Sequence, residues 1–167
     1  MKKRIIALVS ALILLAYFTG CGGPAEDPVS AEFRNDVISF SYPKEYTPTG
    51  KVSEGDPYRI FGLKDTDKFY FVYDLLPAQG YSAEQRKNEI KKDFYDPDNG
   101  YIFDSEEKIT VDGKEAWIVN FGTSDHRVSF WIIDYSAGFT VQFSFLLPDD
   151  GNADQISKEI MESVRFQ

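Results

Sequence analysis

Seven short stretches rich in Phe, Tyr, Val and Ile, each bounded by turn residues, constrain this chain more than any other feature: Val37 to Tyr42, Tyr58 to Leu63, Phe69 to Leu76, Phe103 to Val111, Lys114 to Phe121, Val128 to Tyr135 and Phe139 to Leu147. Aromatic and β-branched side chains suit a pleated, half-buried surface, so these stretches read as strands. Two connections fix their pairing. Asp112-Gly113 between two apolar runs is a strong type I′ turn signal, and Ala137-Gly138 joins the last two long runs almost as tightly. Both pairs are therefore antiparallel.

Helical spacing occurs twice. Ser82 and Gln85 form a capping-box pattern ahead of Ile90 and Phe94. Asn152 and Gln155 open a run that sets Ile156, Ile160, Met161 and Val164 on one stripe. Both segments are amphipathic and need a sheet to cover. The expected fold class is α+β, an antiparallel β-sheet with two packing helices.

A two-residue Ala137-Gly138 loop places Asp134 opposite Val141, Ile132 opposite Phe143 and Phe130 opposite Phe145. That face is almost pure hydrocarbon, and the helices should pack there. The other face then carries Trp131, Ile133 and Tyr135 beside Thr140, Gln142 and Ser144, and by the same parity Trp117, Val119 and Phe121 beside Thr110 and Lys108. Aromatic and polar groups mix on it. Either the long loop over 43–57 or another strand covers the aromatics, or Trp117, Trp131 and Tyr135 form a ligand or partner surface.

The first residues carry a separate message. Lys2, Lys3 and Arg4 precede an apolar run from Ile5 to Phe18, and small residues follow before Cys21, the layout of an export signal. At 14 residues the run is shorter than the roughly 18 to 20 that cross hydrocarbon, so cleavage is expected rather than a permanent span. Phe18-Thr19-Gly20-Cys21 resembles the bacterial lipobox, with Phe18 standing where Leu or Val is usual. The resemblance implies that Cys21 becomes the first mature residue and carries a diacylglyceryl group. Cys21 is the only cysteine, which excludes an intrachain disulfide, and a lone thiol in an oxidising exterior is a liability unless modified. From Gly22 to Glu32 the composition is Gly- and Pro-rich, a short flexible tether. The expected organisation is a signal peptide over 1–20, a lipidated cysteine and tether over 21–32, and one domain over 33–167.

Charge narrows the partners. Losing residues 1–20 removes three of the 18 basic residues and no acidic one, leaving 15 against 27 Asp and Glu, formally −12. Such a surface repels nucleic acid and anionic headgroups, so contact with the bilayer is expected through the acyl anchor alone.

Chemistry-bearing patterns are few. His126, the only histidine, sits in Thr123-Ser124-Asp125-His126-Arg127 between two strands. A general base needs a nucleophile and an orienting acid converging in space, whereas Ser124 and Asp125 are neighbours on a tight loop and point in divergent directions. An enzyme centred on His126 would require a cleft with a second polar group from a distant strand. No nucleophile elbow, phosphate-binding glycine loop or H-E-x-x-H pair occurs, and a single histidine offers no zinc set. Asp93, Asp96, Asp98 and Asn99 gather before Gly100, but a calcium loop would need ligands where Tyr95 and Pro97 stand, so this run reads as a helix end and a turn. Asp65-Thr66-Asp67 reads likewise. No catalytic residue, metal or cofactor is expected.

The order of these elements carries a further likeness. Ile38-Ser39-Phe40-Ser41-Tyr42-Pro43 followed by Glu45-Tyr46, the strand Lys114 to Phe121 after Val111-Asp112-Gly113, and the ending Ile160-Met161-Glu162-Ser163-Val164-Arg165-Phe166 resemble the PsbP-like family, which includes bacterial DcrB-type lipoproteins. The resemblance spans most of residues 33–167 and its motifs are structural. It implies an α/β sandwich, a final helix running into a short strand, and a role in binding or assembly at a larger complex.

The function expected is that of a non-enzymatic lipoprotein, anchored in the cell membrane and facing outward, that binds an envelope protein. The alternative is a small-ligand receptor serving a transporter or sensor. An enclosed cavity beside Trp117 or Trp131 would favour the ligand, and a flat aromatic patch the protein.

Overall fold

All seven β-rich stretches form strands in the computed structural model, which describes residues 30–49, 58–64, 69–78, 82–94, 100–148 and 152–167. In chain order the elements are β1 (Ser30–Arg34), β2 (Ile38–Pro43), β3 (Thr47–Pro48), β4 (Arg59–Lys64), β5 (Tyr70–Pro77), α1 (Ala83–Phe94), β6 (Ile102–Val111), β7 (Lys114–Gly122), β8 (His126–Ser136), β9 (Phe139–Pro148), α2 (Asn152–Ser163) and β10 (Arg165–Phe166). A seven-stranded sheet runs β3-β4-β5-β9-β8-β7-β6, and a three-stranded sheet runs β1-β2-β10. Every pairing is antiparallel. The fold class is α+β, as the strand and helix patterns predict.

Two short elements lie where composition gave no strand signal. β1 starts at Ser30, inside the stretch read as tether, because its backbone pairs with β2 from Ser30↔Pro43 to Arg34↔Ser39 whatever its side chains are. β3 pairs with β4, so the described part of the 43–57 stretch extends the large sheet at its edge, while its Tyr46 packs on Phe69 with ring centroids 4.9 Å apart. No described helix is long and apolar enough to cross a membrane.

The two hairpin turns behave differently. Asp112 (φ 47°) and Gly113 (φ 78°) both adopt left-handed backbone, the type I′ geometry whose twist matches the flanking strands. Neither Ala137 nor Gly138 does so. β8 instead takes up the mismatch in a bulge: Ser136 faces Phe139, Tyr135 is skipped, and Asp134 faces Thr140.

This bulge overturns the expected register. Ile132 opposes Gln142 and Phe130 opposes Ser144, while Ile133 opposes Val141 and Trp131 opposes Phe143. One skipped residue exchanges the faces of everything beyond it, because the side-chain period of a strand is two. The hydrocarbon of β9 therefore lies with the odd-numbered residues of β8, and both faces of the sheet are partly apolar.

The helices accordingly pack on opposite faces, not on one. On the first face, Phe71, Tyr73, Ile133, Val141, Phe143 and Phe145 meet Ile38 and Phe40 of the small sheet and Ile160, Met161 and Val164 at the end of α2. Phe40 sits at the centre of this core, with ring centroids 5.7 Å from both Phe71 and Phe143. On the second face, Ala83 and Ile90 of α1 pack with Val119, Phe121, Val128, Phe130 and Ile132. Burying one such side chain contributes about 1.5 to 3 kcal/mol, so each face supplies a core of its own. The result is a sandwich with the large sheet in the middle.

Polar contacts pin the layers. The capping box at α1 forms as its residues predict: Ser82 N–H donates to Gln85 Oε1 at 2.8 Å, and Gln85 N–H to Ser82 Oγ at 3.3 Å. Asp134 Oδ1 accepts the Ala83 N–H at 2.7 Å, placing a β8 carboxylate on the positive end of the helix. At the other layer, Ser163 Oγ accepts the Ser41 N–H at 2.8 Å and joins the end of α2 to β2.

Candidate functional site

The three residues expected to share a surface lie apart. Trp117 opposes Ile132 and packs in the core beneath α1, whereas Trp131 opposes Ile118 and packs on the opposite face. Tyr135 is the bulged residue. Its ring stacks on Phe166 of β10 at 5.5 Å, and Lys114 Nζ lies 5.2 Å from the Tyr135 ring and 5.1 Å from Phe166. Trp117, Trp131 and Tyr135 thus form no common patch: the unbroken β7–β8 register puts the two tryptophans on opposite faces, and the β8 bulge takes Tyr135 out of the ladder.

Trp117 is engaged in a different way. Lys87 of α1, 5 % exposed, holds its ammonium 3.9 Å from the Trp117 ring centroid and 3.4 Å from Glu106 Oε1. Lys91 Nζ reaches Glu106 Oε2 at 2.7 Å. The Lys91 hydrogen bond, followed by the charge of Lys87, holds the Glu106 carboxyl below its ordinary range. A buried ammonium is tolerable only with a counter-ion or an aromatic face, and Lys87 has both. This assembly fastens α1 to β6 and β7. Its three charged members lie on a helix and an edge strand, which no local pattern marks as a cluster.

His126 stands at the start of β8 with its side chain 41 % exposed, and its Nδ1 is 3.2 Å from Asp125 Oδ2. Ser124 Oγ donates to Asp125 Oδ1 at 3.2 Å, as does Thr123 Oγ1 at 3.1 Å. The His126 contact and these hydroxyls depress the Asp125 carboxyl. Among the described residues all these partners come from one tight turn, so the hydroxyl of Ser124 is directed to the acid and no described distant strand contributes a second group.

Arg127 bridges Asp104 of β6 at 3.1 Å and Asp154 in the first turn of α2 at 3.0 Å. Beside it lies an open depression of about 400 Å³ lined by Ile102, Phe103, Asp104, Gly122, Thr123 and Arg127. A second, smaller groove of about 240 Å³ runs between α2 and the small sheet. Tyr42, Pro43, Ile156 and Ile160 make its apolar wall, and Glu45 and Glu159 stand on it. Neither is lined by Trp117 or Trp131. The helical stripe identifies Ile156 and Ile160 in sequence, but as core. Their share in a groove depends on where β2 crosses the helix.

No group of three or more metal-ligating side chains occurs among the described residues. Asp93 lies in the last turn of α1. Cys21, the turn 65–67 and residues 96, 98 and 99 lie outside the described residues.

Comparison with known proteins adds precedent for the fold. The chain superposes on a crystal structure from Bacteroides thetaiotaomicron VPI-5482 with a TM-score of 0.56 and 15 % identity, covering 84 % of this chain and 49 % of that one. It therefore spans about half the length of that protein. It also superposes on LpqN, a protein involved in cell envelope biogenesis of Mycobacterium tuberculosis, with a TM-score of 0.58 and 16 % identity, covering 86 % of this chain and 87 % of LpqN. No family model matches the sequence, and no curated protein does. At these identities the likeness shows the shared α+β sandwich.

Proposed function

We propose that this protein is an exported lipoprotein, held at the outer side of the cell membrane by an acylated Cys21, and that its sandwich domain is a non-enzymatic binding module for an envelope protein. The observation that carries the reading is the likeness to LpqN over nearly the whole of both chains, since LpqN acts in cell envelope biogenesis. The export signal and lipobox-like cysteine agree with it, as does the resemblance to PsbP-like lipoproteins. The side chains that converge in the domain support it from the other side: Lys87 with Glu106, Asp134 with the α1 terminus, and Arg127 with two aspartates each join one element to another.

The reading is tested by intact mass and membrane fractionation of the native chain and Cys21→Ala. Acylation predicts a mature chain beginning at Cys21 with a diacylglyceryl mass increment, and recovery of Cys21→Ala in the soluble fraction. An unmodified native cysteine would sink the anchor.

A small-ligand receptor draws on one observation, the depression beside Arg127. Its volume of about 400 Å³ lies within the roughly 300 to 1,000 Å³ usual for ligand sites. It is open to solvent, so it ranks second.

A further inference from the structure

We infer that the groove between α2 and the small sheet receives a short basic segment of a membrane protein, an apolar residue adjoining lysine or arginine. The inference deepens the proposed function: its membrane setting rests on the Cys21 anchor, and the chemistry of the groove does not.

Charge complementarity gives the first reason. Several acids of the described surface already have cations: Glu106 has Lys87 and Lys91, Asp104 and Asp154 share Arg127, and Glu115 has Lys108. No lysine or arginine pairs with Glu45 or Glu159 among the described residues. Glu159 accepts a hydrogen bond from the neutral Gln155 amide at 2.8 Å, which leaves its charge uncompensated. Two carboxylates without a cation beside an apolar wall fit a side chain with a hydrocarbon stem and a cationic tip.

Size and place give the other two. At about 240 Å³ the groove falls short of the usual small-ligand range but accommodates one or two side chains of an extended peptide. Ser30 lines it, nine residues after Cys21, a separation that reaches at most about 30 Å when fully extended. The occupant therefore lies close to the bilayer, as an extracytoplasmic juxtamembrane segment does. Lipid phosphates suit the groove poorly, since both carboxylates repel them.

The test is methyl and amide NMR of the native lipoprotein in zwitterionic nanodiscs, titrated with synthetic hexapeptides that alternate Leu with Lys or Arg, and with Leu-Glu counterparts. The expected result is that basic peptides alone move the Ile156 and Ile160 methyls and the amides of 41–45, that added salt weakens the effect, and that Glu45→Gln with Glu159→Gln weakens binding about tenfold. Unshifted resonances elsewhere establish that the double variant is folded. The inference is overturned if basic peptides leave these signals unmoved at millimolar concentration, if acidic peptides act equally, if the double variant binds as before, or if anionic lipid alone produces the shifts. An unacylated Cys21 in the mass measurement would remove the anchor while leaving this titration as the test of the groove.

Discussion

Tyr73 shows how much one atom can cost. Its ring is fully buried and stacks 5.4 Å from Phe143, yet its hydroxyl has no hydrogen-bond partner in bonding geometry among the described residues. Burial pushes this phenol up to about 12, against a weaker opposing influence of the nearby Asn35 side chain. Tyr73→Phe should therefore raise stability by about 1 kcal/mol at neutral pH, measured by urea denaturation. The sign at high pH follows: the unfolded phenol ionises near its ordinary 10.0 while the folded one holds its proton to about 12, so the native chain loses stability relative to the variant as pH climbs from 10 towards 12. Glu106 behaves in the opposite sense. Its depressed carboxyl stabilises the fold above its ordinary 4.5 and ceases to do so as pH falls below that value. Glu106→Gln, by depriving Lys87 of its anion, should cost about 2 kcal/mol at pH 7, with Glu106 partly exposed and the loss correspondingly below that of a fully buried pair. Thermal melts should show the deficit shrinking by pH 3, and Lys87→Met in the same chain should recover at least half of it. An unchanged melting temperature for Glu106→Gln would mean that Trp117 alone carries the ammonium.

At the scale of elements, the bulge in β8 decides more than any strand does. Tyr135 is skipped in the ladder, so deleting it leaves Asp134 opposite Thr140 and all earlier pairs in place. The deletion should fold with the same register, read from amide-to-amide contacts by NMR, and lose about 1 kcal/mol with the Phe166 stack. A shift of Phe130 away from Ser144 in that variant would show that Tyr135, through its stack on Phe166, holds the register. The strands and α1 were legible because their signals are local: alternation, turn residues and a capping box close within a few positions. The candidate surface was not, since the register of β7 against β8, which no turn signal in the 123–125 connection announces, decides that Trp117 and Trp131 lie on opposite faces.

Across the whole molecule, the two ends of the domain depend on each other. β2 near its start is flanked by β10 at its end, and Ser163 bonds Ser41 across 122 residues. Deleting residues 152–167 would strip α2 and β10 from Ile38, Phe40 and the large sheet beneath them. The truncated chain should lose its cooperative thermal transition in circular dichroism, because the small sheet keeps only a hairpin over the core and an isolated hairpin is marginal in water. Retained cooperativity would mean that the large sheet with α1 is a folding unit by itself.

The sequence by itself determined the seven longer strands, both helices, the antiparallel pairing of two hairpins and the α+β class, each of which follows from periodicity and turn chemistry within short windows. Only the tertiary structure decided which residues share a face, that the helices lie on opposite sides of the sheet, that Lys87 is buried against Trp117, and that Glu45 and Glu159 line one groove. These are relations between distant segments. A two-residue period carries facing information along a strand only until a bulge reverses it, and charge has no period that would reveal its partner.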